Sequence, residues 1–332
     1  RAWGEAVGSW RKRAAMEAVA EWLPRAPKRW RVILGAAATY YALRELAPKL
    51  FEKSISGDVC VITGGAGGIG RLMALRLAKE GCKVALLDIN QEALNAVQKE
   101  VRALGVKCEA YICDVSKREE IYRVAKQVEG DFGRVDMLIN NAGIVGGKKL
   151  LEADDNRIEL TLKINTLALI YMTKAFLPGM LKRDHGHIVN IASSAGLVGV
   201  PGLVDYCASK YGAVGFDESL RMELRKLRSK VSTTCVCPSY IKTGMFEGAI
   251  MQPRIKALSG IVSFMMPLLE PDYVANQVIT AVKRDQKLLV MPTMGYLSSV
   301  LKALLPVTVC ENILDDLGVT NSMNDFKQTR PT

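Results

Sequence analysis

Histidine is almost missing from this 332-residue chain: His185 and His187 are the only two. A metal centre takes three or four ligands, and this HxH pair supplies at most two with no third suggested, so no metal site is expected. The cysteines, Cys60, Cys82, Cys108, Cys113, Cys207, Cys235, Cys237 and Cys310, form no CxxC pair. Several fall in apolar runs, where cysteine behaves as a small hydrophobe; a reducing compartment without disulfides is the simpler expectation. Aromatic residues make up 6% of the chain. No zinc finger, RNA-recognition signature or aromatic-interleaved basic stripe is present, so no nucleic-acid partner is expected.

What is there is a globular composition, 49% hydrophobic and 24% charged, enough for one large α/β domain with extensions or two small domains. The net charge of +11 is uneven: residues 1–50 hold ten Lys/Arg against four Asp/Glu, a net of +6. Within this basic arm, Met16, Val19, Ala20 and Leu23 share one helical stripe. The uncharged run Val32–Leu43 follows, bracketed by Arg29, Arg31 and Arg44, with Trp30 and the Tyr40–Tyr41 pair nearby. The run is shorter than the roughly 20 residues that a bilayer span takes. Residues 1–54 are therefore expected to form an arm of helices that lies on a membrane surface or docks on a partner protein.

From Ser56 onward, short apolar runs alternate with longer amphipathic segments. "DVCVITGG", "KVALLDIN", "CEAYICDV", "VDMLINNAG", "HIVNIASS" and "VSTTCVCPS" read as strands, separated by segments such as "RLMALRLAKEG" and "QEALNAVQKEVRALG" that stop at glycine. This alternation predicts an α/β fold, a doubly wound parallel sheet with helices on both faces, over residues 55–285. After Thr243 the rhythm breaks into a Met/Phe/Leu-rich stretch, 244–271, with few charges. A tail over 286–332 carries an apolar, amphipathic segment, and its last residues read as a frayed terminus.

The first strand runs into Gly64, Gly68 and Gly70. Glycine there allows a tight turn and lets the backbone approach a dinucleotide pyrophosphate. A helix starting near Ile69 aims its N-terminal amides at that negative charge. The second strand ends at Asp88, whose carboxylate suits the ribose hydroxyls of NAD and repels the extra phosphate of NADP. Position 67 is glycine, so the loop offers no cation to such a phosphate. NAD is therefore the expected cofactor. Asp88 also suits a helix N-cap. Asp114 suits either the adenine amino group or plain turn chemistry. "NNAG", Asn140–Gly143, ends the fourth strand where adenine or ribose would lie.

In "DYCASKYG", Tyr206 and Lys210 stand four residues apart, on one helical face. A nearby ammonium favours the phenolate, so the pair suits proton transfer, although two neighbours on a helix surface would read the same. The motifs TGxxxGIG (Thr63–Gly70) and NNAG, with Ser193, Tyr206 and Lys210, together resemble the short-chain dehydrogenase/reductase family over about residues 56–245. Phrases such as "DHGHIVNIASS" and "TKAFLPGML" resemble its membrane-associated retinol dehydrogenase and 17-beta-hydroxysteroid dehydrogenase subgroup.

The resemblance implies a Rossmann fold with Tyr206 as general acid/base and with Lys210 lowering its pKa and binding the nicotinamide ribose. It implies that Ser193 orients the substrate oxygen, with Ser194 as a competitor, and that Asn165 supports a proton relay. Thr63, Gly64, Gly68, Ile69, Gly70, Asp88, Asp114, Asn141, Ala142, Gly143, Pro238, Ile241 and Thr243 would contact the cofactor together with Tyr206 and Lys210. Two departures stand out: Pro238–Ser239 occupies the place of the family's usual Pro-Gly, and the N-terminal segment is not a long apolar anchor.

The stretch 244–271 lies where the family places its substrate lid, and its apolar character predicts a retinoid, steroid or other lipid alcohol or ketone; membrane or partner contact is the plainer reading of the same residues. Expected partners are that substrate, a membrane surface met by the arm and the apolar C-terminal segments, and a second copy in a homodimer. The resemblance implies the endoplasmic reticulum or lipid droplets, with the mitochondrial inner membrane as the alternative. From another class, the chain reads as a nucleotide-holding subunit of a large membrane assembly with little or no turnover.

Overall fold

A computed structural model describes residues 52–249, 251–254, 256 and 259–326. The expected helical arm, apart from residues 52–54, lies outside the described residues, as do Ile250, Ile255, Ala257 and Leu258 of the expected lid. In chain order the main elements are β1 (Val59–Thr63), α1 (Gly68–Lys79), β2 (Lys83–Asp88), α2 (Gln91–Arg102), β3 (Cys108–Ile112), α3 (Arg118–Phe132) and β4 (Met137–Asn140). Then come α4 (Asp155–Leu162), a π-helical turn (Lys163–Leu167), α5 (Ala168–Arg183), β5 (His187–Ile191), α6 (Val204–Lys226) and β6 (Ser232–Pro238). The remaining elements are α7 (Ser259–Met265), α8 (Pro271–Lys283), β7 (Leu288–Met291), α9 (Gly295–Leu304) and α10 (Val307–Asp316).

All strand pairings are parallel, in the order β3-β2-β1-β4-β5-β6-β7. The order reverses between β1 and β4, which opens a crevice at the carboxyl ends of those strands. β7 belongs to this sheet, so the sheet continues beyond the boundary expected at residue 285. Every residue of β1, β5 and β6 is buried, as a sheet covered on both faces requires. Alternate residues of β1 feed opposite cores. Cys60 and Ile62 meet Met73, Leu77, Leu94 and Val278 of α1, α2 and α8, while Val59 and Val61 meet Ile121, Val124, Phe176 and Leu220 of α3, α5 and α6. Burying each large side chain contributes about 1.5–3 kcal/mol.

Local chemistry sets the helix starts. The Asn90 side chain accepts from the Ala93 amide at 3.0 Å and caps α2; Asp154 caps α4 through the Arg157 amide at 3.1 Å. The N-cap reading of Asp88 is thus replaced by Asn90, two residues on. The continuous helical stretch Asp155–Arg183 is long and apolar enough to cross a membrane by length and composition alone. In the fold it turns Met172, Phe176 and Met180 into the core beneath the sheet. All eight cysteines are buried free thiols. His187 is buried between Lys53, whose ammonium donates to Nδ1 at 2.9 Å, and Thr234, 2.8 Å from Nε2; His185 lies 3.5 Å from Asp58.

The ends of the stretch after β6 are pinned together. Ile241 and Leu269 form a single parallel bridge, the Lys242 amide donates to the Leu269 carbonyl (3.0 Å), and the Leu269 amide donates to the Tyr240 carbonyl (2.9 Å). Of the end expected to fray, residues 327–332 lie outside the described residues, while Phe326, with Met323 before it, packs against the cluster that contains Tyr206.

A polar chain crosses the sheet's centre. Asn140 donates to Asn190 at 2.9 Å, and Asn190 donates to the buried carboxylate of Asp217 at 2.9 Å. Thr233 (3.1 Å) and Arg221 (3.0 Å) donate to the same carboxylate. Removing the shared acceptor strands these donors in the core. Asp217→Ala is therefore expected to lose about 3–5 kcal/mol of stability, read from urea unfolding midpoints.

Candidate active site

The glycine loop after β1 holds its shape by contact between its own backbone atoms. Gly64 has φ +64, and a Cβ on Gly70 would overlap the Gly64 carbonyl oxygen. Thr63 closes the other side: its hydroxyl accepts from the Asn141 and Ala142 amides, each at 3.0 Å. The Asn141 side chain returns the tie by donating to the Thr63 and Gly64 carbonyls at 3.0 Å. Thr63 and Gly70 thus build the loop from behind. Gly64, Gly67, Gly68 and Ile69 face a cleft of about 830 Å3.

The same cleft is walled by Asp88, Asn141, Ala142, Gly143, Ser193, Tyr206, Lys210, Pro238, Ile241 and Thr243, so the structure gathers most of the sequence-derived set around one space. Nothing lies within 4 Å of where a Cβ on Gly67 would stand, and α1 starts beside it at Gly68. A pyrophosphate fits this place, with backbone close at hand and helix amides aimed at it. At one end, Asp88 accepts from the Ala66 amide (3.1 Å) and the Ile89 amide (2.8 Å), which fixes the carboxylate at the cleft wall. Asp114 stands apart from the cleft walls: its carboxylate accepts from the Ser116 amide (3.0 Å) and hydroxyl (2.7 Å), the turn chemistry that competed with an adenine contact.

At the other end, α6 carries Tyr206 and Lys210 on one face, both buried, with the ammonium 5.6 Å from the phenol ring centroid. The ammonium donates to the carbonyl of Ile191, the last residue of β5, at 2.9 Å. Ser193 accepts from the Ala195 amide at 3.1 Å, donates to the Pro238 carbonyl at 3.5 Å, and shares the cleft wall with the Tyr206 phenol. It touches both the cleft and the neighbouring cavity, whereas Ser194 lines only the latter. That difference separates the two competing serines. Asn165 sits on the π-helical turn, a feature frequent at functional sites. Its oxygen accepts from the Ile144 amide (2.9 Å), and its nitrogen donates to the Ile144 carbonyl (2.9 Å) and the Ser209 hydroxyl (3.0 Å). The side chain thereby ties the segment after β4 to α6. Gly143 passes between it and Lys210, 3.4 Å and 3.6 Å from where its Cβ would stand.

Burial works on both titrating groups. It lowers the Lys210 pKa to about 8. It also raises that of Tyr206, opposed by the Ser193 hydrogen bond, with Cys207 and Tyr240 adding to the rise. In the protein alone, desolvation of the enclosed ring sets the direction for the phenol.

A second cavity, about 1220 Å3, adjoins the first. Ser193, Tyr206, Ser239 and Phe246 wall both spaces. Beyond them the walls are mostly apolar: Met251, Val262 and Met266 from the stretch after Thr243, and Leu297, Leu301, Leu314 and Leu317 from α9 and the chain around α10, with Ser194, Tyr240, Ser298 and Lys302 as the polar members. Sequence reasoning placed the lid here and missed the tail. The helical spacing in "YLSSVLKALL" carried the signal, but periodicity reveals that a face is buried, not what it faces.

Residues 58–253 match the family model described as short chain dehydrogenase. The chain is 44% identical to human epidermal retinol dehydrogenase 2, covering 83% of this chain and 87% of the relative. It is 38% identical to human retinol dehydrogenase 10, covering 90% and 91%. A short chain dehydrogenase/reductase from Burkholderia phymatum, solved in complex with NAD, superposes with TM-score 0.67 at 26% identity over 84% of this chain and 99% of its own. A metagenomic short-chain oxidoreductase in complex with NADP gives TM-score 0.58 at 31% identity, over 72% and 96%.

The buried ammonium implies a pH signature. Its folded pKa, about 8, lies below the ordinary 10.5, so the unfolded chain holds this proton more tightly between those values. Stability linked to Lys210 is lowest below pH 8 and rises toward pH 10.5. Denaturant unfolding of wild type against Lys210→Met should show the wild type gaining on the order of 3 kcal/mol across that window.

Proposed function

The chain belongs to the short-chain dehydrogenase family, and from that premise we propose that it oxidises an apolar alcohol, a retinoid first, with NAD as the acceptor. Membership makes it an oxidoreductase interconverting alcohol and carbonyl with NAD(P). The finer reading rests on one observation: the polar cleft and the apolar cavity share the wall formed by Ser193, Tyr206, Ser239 and Phe246. An alcohol lying in the cavity meets the hydroxyl pair at the point where the two spaces join.

Oxidised NAD, when bound, would supply the hydride acceptor for the carbinol carbon. The protein's part is position and proton transfer. Gly64, Gly68 and the start of α1 would hold the pyrophosphate, Asp88 the adenosine ribose, and Ile241 and Thr243 the nicotinamide half. Ser193 donates to the substrate oxygen and holds it beside the Tyr206 phenol. Tyr206, as phenolate, takes the alcohol proton while the C–H bond breaks, and the reverse reaction returns it. Lys210 donates to the nicotinamide ribose and supports the phenolate. Asn165 keeps α6 and the loop after β4 in register and supports the relay of the proton to solvent. Because burial alone raises the phenol, ionisation depends on positive charge brought into the site as well as on Lys210.

The substrate reading is supported by a mostly apolar cavity wall that meets the Ser193 and Tyr206 hydroxyls where the two spaces join, and by high likeness to proteins named as retinol dehydrogenases. The NAD reading is supported by Asp88 and by the lack of a cation in the glycine loop. A membrane surface suits the exposed Leu297, Val300, Leu304 and Val307 of α9 and α10; the N-terminal arm, the endoplasmic reticulum or lipid-droplet location and a homodimer belong to the same proposal. The accessory-subunit reading is not favoured, because the Ser193, Tyr206 and Lys210 side chains converge on one cleft.

Two measurements check the reading. Purified protein with NAD and all-trans-retinol should produce NADH absorbance, and Tyr206→Phe should lower kcat by about 10²–10⁴-fold while NADH binding changes little. Turnover at wild-type rates in that variant overturns the mechanism. Wild type should prefer NAD over NADP in kcat/KM, and Asp88→Asn should narrow that preference by about tenfold or more through loss of charge repulsion.

A further inference from the structure

Residues 315–326 run back over the stretch that follows β6 and tie it down from outside. Asp315 pairs with Arg254 at 2.5 Å. The Gln252 side chain donates to Asp325 at 2.6 Å, and its backbone amide donates to the Gly318 carbonyl at 3.4 Å. Tyr240 donates to the hydroxyl of Ser322, itself buried, at 3.0 Å. The fit is close. A Cβ on Gly248 would overlap the Asp325 carbonyl, and one on Gly147 would overlap the Phe326 ring.

The end of this strap reaches the catalytic tyrosine through one intermediate ring. Phe326 lies 6.4 Å from Phe246, centroid to centroid. Phe246 in turn stands edge-on to Tyr206 at 5.6 Å and 77°, and to Tyr240 at 5.5 Å and 71°. Edge-to-face rings at such separations attract one another beyond the effect of their buried area. Met323 and Phe326 join Val145, Leu203 and Tyr206 in one apolar cluster. Phe246 is also one of the residues shared by the two cavities, so its placement sets the width of their junction.

We propose that Gly318–Phe326 is a latch on the substrate lid, in which Phe326 is a positioning residue that holds Phe246 against Tyr206 and so completes the binding wall for a bulky apolar alcohol. The substrate clause rests on the reading above; the latch itself rests on the contacts alone. The lid's two ends are already pinned at Ile241 and Leu269. Between them, the strap supplies the outer ties, and its release frees the middle of the lid while the dinucleotide cleft keeps its glycine loop and Asp88.

The test compares full-length wild type, Phe326→Ala, Phe326→Leu and a chain truncated after Asn321. Hydrogen exchange of lid amides in 244–254 should run about tenfold faster in Phe326→Ala and in the truncation, with exchange in β1, β4 and β5 unchanged. Phe326→Leu, which still fills the space, should restore most of the protection. With all-trans-retinol, Phe326→Ala should raise KM by about tenfold, with kcat and NADH affinity within about twofold. A purely structural tail would instead lower the melting temperature without this split. Lid exchange within twofold of wild type in both disrupted chains overturns the latch, whatever the turnover. Accelerated lid exchange in a protein that oxidises no retinoid leaves the latch standing and removes the substrate reading.

Discussion

Lys210 carries an ammonium into a place that water barely reaches, 3% exposed, at the carboxyl end of β5. Burial of a cation is unfavourable, and the single protein acceptor among the described residues, the Ile191 carbonyl, offsets only part of that. The arrangement persists because everything around it is over-determined. Ile191 is held in a fully buried strand paired on both sides, and α6 is tied to the π-helical turn through Asn165, Ser209 and Thr166. A cation placed this way has little freedom to screen itself or to swing out. It therefore acts strongly on whatever enters the cleft beside it, because charges interact more strongly where water is excluded.

The geometry around it divides labour between two kinds of wall. The dinucleotide side is backbone and small residues, where glycines let amides and carbonyls come close. The substrate side is mainly methionine, leucine and valine, with the Ser193 and Tyr206 hydroxyls where the spaces meet. Methionine suits such a wall because its unbranched, polarizable side chain adapts to the shape of a ligand. Ser239, which stands where the family usually has glycine, adds a hydroxyl-bearing residue at this junction, and its amide is already tied to the Met291 carbonyl at 2.7 Å.

Much of this was legible in the chain because it rests on local rules. Val59–Thr63 running into Gly64, Gly68 and Gly70 states both the strand and the turn, and Asp88 at the end of the next strand states the carboxylate at the cleft wall. Tyr206 and Lys210 fall on one face by helical period alone. The parts that escaped depend on contacts distant in sequence. Leu301, Leu314 and Leu317 look like any amphipathic tail until the fold brings them against a cavity whose floor is Tyr206. Phe326 sits in a polar, unpatterned stretch, and only the bare backbone at Gly147 shows why a ring fits there. The dryness around Tyr206 also escaped, because the i, i+4 spacing reports a neighbouring cation but not how deeply the ring is buried.

The order of synthesis gives the tail a kinetic meaning. The dinucleotide cleft has all its lining residues once the chain has passed Phe246, whereas the hydrophobic chamber gains its far wall only with α9, α10 and the residues up to Val319. At about 5–20 residues per second the ribosome takes several seconds to cover that interval. For that time the methionine and leucine side chains on the near wall have nothing opposite them, and the chamber is closed only by the last part of the chain to be made.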